Sequence, residues 1–316
     1  MKTRAAVLRE VGKEWEIVEL DLDPPKAGEV LVRFVASGLC HSDDHLRTGD
    51  IPVRYPIVGG HEGAGIVEEV GAGVTRLQCG DHIVCSFLPV CGHCRFCARG
   101  QSNLCDLGAL LVDNCLPDGT FRFHAEGQDF GQMCLLGTFS QWSTLSEHSC
   151  IKVDDDLPLE TVVLVGCGVP TGFGTSANLG GVRPGDTVVI YGIGGVGINA
   201  VQGASIAGAM NIIAVDPLAN KREVAESLGA THSAADAQQA QQLVTELTLF
   251  QKRIEGALFG GGNPFDDIPL MLDLYRAGRL KLDELVTTTY RLDEVNQGYQ
   301  DLLDGKNIRG VLIHEH

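Results

Sequence analysis

The chain has 316 residues, long enough for two domains with separate cores, and is 44% apolar and 21% charged, as ordinary globular proteins are. A formal charge of −17 argues against nucleic acid or an anionic membrane as the main partner, since both need a basic face. The start, MKTRAAVLRE, has no apolar signal core, and no run reaches the roughly 18 apolar residues of a membrane span. Eleven cysteines, an odd number, fit metal ligands in a reducing compartment better than a disulfide framework, so a cytoplasmic protein is expected.

Up to about residue 150 the chain is a series of short β-type runs punctuated by glycine and proline. Val30 to Val35, Gly65 to Val70 and His82 to Cys85 are examples, and together they predict a compact, irregular β domain. From about Thr171 the texture changes. Val188 to Tyr191 reads as a buried parallel strand, Val196 to Ala209 as a helix and Asn211 to Asp216 as a second strand. Asn220 to Leu228 reads as a second helix closed by Gly229, which completes a βαβ unit of a doubly wound sheet. The polar run Ala234 to Gln242 predicts an exposed helix, Ile268 to Ala277 an amphipathic one and Gly310 to His314 a last strand.

Two cysteine-containing sets carry metal chemistry. Cys91, Cys94, Cys97 and Cys105, in CGHCRFCARGQSNLC, place four sulfurs on one short lobe, where they satisfy a tetrahedral zinc completely. An iron–sulfur cluster uses a related spacing, but Cys105 is not followed by proline and a second ligand set occurs elsewhere. That second set is Cys40, His61 and Cys167, dispersed over three turns. Two thiolates and one imidazole leave a coordination position open for a reacting oxygen. None of the three stands out alone; a lone histidine is more often an ordinary surface or core residue.

Gly192, Gly194, Gly195, Val196 and Gly197 form a G-x-G-x-x-G turn that follows a strand, opens a helix and has Asp216 about 20 residues on. That context predicts a dinucleotide site, with the pyrophosphate over the helix N-terminus and Asp216 on the ribose hydroxyls. A 2′-phosphate would meet like charge there, so NAD is expected over NADP.

GHEGAGIVEEVGAGV matches the G-H-E-x2-G-x5-G-x2-V signature of the zinc-dependent medium-chain alcohol dehydrogenases. The cysteine lobe, CHSDDH, GCGVPTGFGT and GIGGVG also fall in that family's order, so the resemblance covers nearly the whole chain. The segment from Cys105 to Leu136, with PDGTFRF in it, resembles the longer-chain branch, and within it the bacterial alcohol dehydrogenases assayed with nitrosodimethylaniline.

The resemblance implies a GroES-like catalytic domain over 1–168 and 261–316 and a Rossmann NAD domain over 169–260. It assigns Cys40, His61 and Cys167 to a catalytic zinc, with Glu62 behind it as an occasional alternative ligand and Asp43 orienting His61. This ligand pattern is the known alcohol dehydrogenase type, so its assignment here is a carry-over. Ser42 would accept the alcohol proton and pass it on, through the cofactor ribose, to His45 near the surface. His41, Thr171, Lys221 and Arg309 match cofactor contacts, with His41 and Arg309 at the pyrophosphate and Lys221 at the adenosine ribose. Phe87 and Leu135 are expected to line an apolar pocket for a small uncharged alcohol or aldehyde, in a homo-oligomer of at least two chains.

One part of the family pattern is lacking. After Thr231 the chain passes through a polar helix to Val244-Thr245-Glu246-Leu247-Thr248-Leu249-Phe250 and then at once to Gln251 to Gly260, which resembles the family's last strand of this domain. The second mononucleotide half needs about two further βα units of roughly 30 residues each. The join falls between about Thr245 and Thr248. A true internal deletion and an omission of residues are both open; the family pattern on both sides of the join favours omission.

Two rival functions remain. Arg122, in PDGTFRF, would bind the carboxylate of a hydroxymethyl-thiol adduct if the enzyme oxidises formaldehyde in that form. Alternatively, a true deletion would leave a catalytically silent zinc protein.

Overall fold

The computed structural model describes residues 1–239 and 256–316. The chain divides into two compact units, the first made of Met1–Cys167, Asn263–Leu272 and Leu282–His316, the second of Gly168–Gly262 and Asp273–Lys281.

In the first unit β1 (Lys2–Leu8), β2 (Glu16–Leu22), β4 (Ile57–Val58), β7 (Phe123–Ala125) and β8 (Gln128–Gln132) close into a small barrel. Its interior is filled by Val7, Leu20, Phe123 and Phe130, all essentially without solvent exposure. A larger sheet runs in the order β10 (Cys150–Val153), β6 (His82–Cys85), β5 (Gly63–Val70), β3 (Glu29–Gly38), β15 (Arg309–Ile313), β14 (Val286–Arg291), with β9 (Trp142–Ser146) also paired to β3. The sequence of β3, EVLVRFVASG, is buried on both faces along most of its length, as a strand with neighbours on both edges must be. Phe34, Val32, Ile83 and Leu145 pack there, each such burial contributing about 1.5–3 kcal/mol.

Helix α1 (His41–Thr48) starts directly after β3. Cys40 is its N-cap, Asp43 and Asp44 complement the dipole in the first turn, and His45 and Arg47 do so in the last. Gly49, in the left-handed conformation at φ 83°, ends it.

The second unit carries a three-stranded parallel sheet in the order β11 (Thr187–Tyr191), β12 (Asn211–Val215), β13 (His232–Ala234). Helices α4 (Gly197–Ile206) and α5 (Ala219–Ser227) connect these strands. β11 and β12 are in the expected places and β13 is an addition the pattern does not predict, while the first helix ends three residues earlier than expected, at Ile206. Of the polar run, Ala234 closes β13, Ala235 and Asp236 form a bend and residues 237–239 are helical; residues 240–242, with all of Val244 to Phe250, lie outside the described residues. The described end of the expected strand Gln251 to Gly260 is a 3-10 turn, Leu258–Gly261, with Phe259 and Gly260 at positive φ. A left-handed pair cannot continue an extended ladder, so this end is not a strand. Helix α6 (Pro264–Arg276) covers the amphipathic stretch and α7 (Val295–Leu303) precedes β15. No single helix among the described residues is long and apolar enough to cross a membrane.

Candidate metal centre and nucleotide turn

Cys40, His61, Glu62 and Cys167 converge within the first unit, their donor atoms all within 4.8 Å of one another. Three local turns bring them there. Cys40 caps α1, Cys167 follows the 3-10 turn Val163–Gly166, and His61 follows Gly60 at φ 86°. Gly60 has no room for a side chain, because an added Cβ would meet Thr138 and the Phe139 backbone.

Asp43, fully buried, accepts the Gly60 N–H at 3.0 Å and lies 3.2 Å from His61 Nδ1. His61 Nε2 is buried without a hydrogen-bond partner. An orphan imidazole nitrogen inside a cage of two thiols and a carboxylate fits a metal ion, since a buried polar atom without a partner is otherwise disfavoured.

The electrostatics fit as well. A hydrogen bond from Cys167 holds the Cys40 thiol well below its usual range, helped by the charges of His61 and Arg309 and opposed by burial. Burial works to lower His61, but the charges of Asp43 and Cys40 outweigh it and hold the imidazole well above its usual value. The same surroundings that favour a proton on His61 would favour a metal cation held by Cys40, His61 and Cys167 in its place. Glu62 is pushed up to about 7, chiefly by burial, against the pull of Arg309. Its carboxylate accepts a hydrogen bond from Arg309 Nη2, and the two side chains are 0% and 4% exposed. Arg309, implied at the pyrophosphate, is therefore engaged by Glu62 inside the first unit.

Ser42 and His45 sit three residues apart on α1, on the same side of the helix. Ser42 Oγ lies 3.7 Å from Cys40 Sγ, and His45 Nδ1 lies 3.1 Å from Asp50. The ring of His41, which is exposed, is 5.3 Å from that of His45. Phe87 meets the His61 ring edge-on at 5.8 Å. Leu135 is fully buried at φ 63°, directly after Cys134 at φ 53°. The half-buried Cys134, not singled out from the sequence, also feels the charges of His61, Asp43 and Cys40, and burial pushes its thiol up to about 11.

The second set is equally compact. Cys91 Sγ is 4.0 Å from Cys97 Sγ, and Cys94 Sγ is 4.0 Å from Cys105 Sγ. Sulfurs bound tetrahedrally at a Zn–S distance of about 2.3 Å stand roughly 3.8 Å apart, so the lobe fits the ion. The Cys91 N–H donates to Cys105 Sγ and the Cys94 N–H to Cys91 Sγ, both at 3.3 Å. Backbone N–H groups hold Cys94 down to about 6, while burial pushes Cys105 up to about 12.

In the second unit, Gly192 turns at φ 85° and donates its N–H to the Val215 carbonyl at 2.8 Å. A Cβ on Gly197 would collide with the Gly192 carbonyl, whereas one on Gly194 would meet nothing within 4 Å. The turn is thus closed on its protein side and open above Gly194, where a phosphate would approach the backbone. Gly195 lies between them and Val196 is 44% exposed. Asp216 follows β12, its two oxygens accepting the N–H groups of Ile193 at 2.8 Å and Leu218 at 2.9 Å. Lys221 lies on α5, and Thr171 on the short helix α3 (Gly168–Gly174). A groove of about 880 Å³ runs along β11, bordered by Val188, Val189, Tyr191, Gly192 and Val196.

Arg122 overturns one expectation. It is 0% exposed, bonded to Glu29, Asp118, Thr120 and its neighbour's carbonyl, and so is closed to an adduct's carboxylate.

Residues 26–155 match the alcohol dehydrogenase GroES-like domain and residues 195–268 the zinc-binding dehydrogenase domain. The chain is 55% identical to the putative alcohol dehydrogenase D of Mycobacterium tuberculosis and 54% to an NDMA-dependent alcohol dehydrogenase of Amycolatopsis methanolica. Those alignments cover 99% of this chain and 100% and 99% of the relatives. An alcohol dehydrogenase zinc-binding domain protein from Burkholderia ambifaria has the same fold, with a TM-score of 0.92 at 32% identity over 100% of both chains. This chain belongs to the zinc-binding, medium-chain alcohol dehydrogenase family. The alignments run over 368 positions against 316 residues here, so at least 52 positions have no counterpart in this chain.

Proposed function

We propose that the chain is a zinc-dependent oxidoreductase that moves a hydride between a small uncharged primary or secondary alcohol, or the matching carbonyl compound, and NAD. The observation that carries this reading is the buried Cys40–His61–Cys167 set around the orphan Nε2 of His61. Three such donors leave a fourth position for substrate. Zinc held there supplies a Lewis acid that eases loss of an alcohol proton, and NAD supplies the hydride acceptor.

The chain's own residues do the rest. Asp43 fixes the tautomer and angle of His61. Ser42, beside Cys40, takes the hydroxyl proton, and His45, at the exposed side of the same helix, delivers it to solvent. Phe87 walls the site with an aromatic edge, which suits an uncharged substrate. A second zinc in the four-cysteine lobe is structural. The chain acts as a homo-oligomer in a reducing compartment.

The test is alcohol-dependent reduction of NAD by the zinc-loaded chain, beside a Cys40→Ala control. Turnover lost in the control supports the reading. Two bound zincs without turnover, and without NADH binding, would leave the silent zinc protein instead, a reading favoured by the three strands that the second unit's sheet has among the described residues.

A further inference from the structure

Helix α7 is pressed against the turn that carries Cys40. A Cβ on Gly298 would stand 2.4 Å from Leu39 Cδ1, so a larger residue there would push the buried Leu39 aside. Asn296 fixes the position of the helix, its side chain accepting the Trp15 N–H at 3.0 Å and donating to the Trp15 carbonyl at 2.9 Å. Tyr299, three residues further on, shares that face of the helix. Its ring is buried, stacked on Trp15 at 6.0 Å and tilted against Phe139 at 6.3 Å.

This packing accounts for the ring but not for the hydroxyl. Tyr299 Oη donates to the Cys40 carbonyl at 3.4 Å, a long bond, and that carbonyl already accepts the Asp43 N–H at 3.1 Å. Asp43 is the hydroxyl's other neighbour: after burial, its charge is the strongest influence holding the phenol well above its usual range. Oδ1 of Asp43 serves Gly60 and His61, while Oδ2 is buried without a hydrogen-bond partner. A carboxylate oxygen in a closed site needs a donor, and a bond to a charged acceptor is roughly twice as strong as one to a carbonyl.

We propose that Tyr299 is a positioning residue of the metal cage: its hydroxyl holds Asp43 at Oδ2, and Asp43 in turn holds the imidazole of His61. The carboxylate is then pinned at both oxygens and cannot swing. The His61 ring keeps its angle, and with it the orphan Nε2 stays inside the cage. The proposal rests on the metal reading of the Cys40–His61–Cys167 set.

Tyr299→Phe removes the hydroxyl and leaves the stack. Zinc affinity of the Cys40 set is read by competition with a chromogenic chelator, starting from chains with both ions bound. Cys40→Ala, which keeps only the lobe's ion, gives the baseline. Tyr299→Phe should weaken zinc by about threefold to tenfold where Asp43 is present, and by less than about twofold in the Asp43→Ala chain. Effects that simply multiply, or no weakening at all, would overturn the proposal. Trp15→Phe separates the hydroxyl from the packing. It trims the same stack and should lower the unfolding midpoint while zinc affinity stays within about twofold. Weakening as large as that of Tyr299→Phe would assign the effect to packing and overturn the proposal. If the unaltered chain binds zinc at the four-cysteine lobe alone, the metal reading of the Cys40 set falls, and the proposal with it.

Discussion

Oδ1 of Asp43 accepts the Gly60 N–H at 3.0 Å and stands 3.2 Å from Nδ1 of His61, so one oxygen fixes both the ring and the turn that carries it. Replacing Asp43 by Ala frees the ring to rotate and should weaken zinc at the Cys40 set by about 10–100-fold. Competition with a chromogenic chelator measures this. An unchanged affinity would show that the turn alone orients the imidazole.

The four-cysteine lobe should behave as an independent zinc clamp. Cys97→Ser removes one of its sulfurs, so metal analysis should fall from two zincs per chain to one, with a lower midpoint of thermal unfolding. A variant that kept both ions and its midpoint would remove the structural role from this lobe.

Arg122 and Glu29 form a buried ion pair, the arginine 0% and the carboxylate 5% exposed. Arg122→Met leaves Glu29 charged and buried without its main partner, at a cost of about 3–5 kcal/mol in urea unfolding. Pairing it with Glu29→Leu should recover most of that loss. If the single variant instead lowered affinity for a hydroxymethyl-thiol adduct at unchanged stability, the structural reading of Arg122 would fail.

Burial, and then the neighbouring Asp266 carboxylate, push Asp267 up to about 6. The unfolded chain binds this proton with a pKa of about 3.9, so the folded form is favoured where Asp267 is protonated, and that benefit is lost as pH rises through about 6. Asp267→Asn should therefore stabilise the protein at pH 8, by about 1–3 kcal/mol, and by roughly half as much at pH 5. Equal gains at both pH values would assign the effect to something other than this proton.

The sequence announced some features plainly and hid others, for physical reasons. The nucleotide turn was legible because an apolar run, three glycines and a helix pattern lie in one window. The cysteine lobe was legible because its ligands are close in sequence. Cys40, His61 and Cys167 come from three separate turns, so only the family resemblance joined them before the fold did. Arg122 and Arg309 look like solvated charges in the sequence; their carboxylate partners are 93 and 247 residues away along the chain. The left-handed pair Cys134-Leu135 gave no signal either, since neither residue is a glycine.

The chain is interleaved in a way that ties assembly of the metal cage to a distant segment. β15 lies between β3 and β14, so the larger sheet is completed by Arg309–Ile313. Arg309, the partner of Glu62, arrives with that strand from 247 residues further along the chain. Every donor of both metal sets precedes it in sequence, so the Glu62 carboxylate gains its counter-charge only when β15 has docked beside β3. Ligands close in sequence make the four-cysteine lobe a local structure, whereas the His61 cage depends on long-range closure of the sheet.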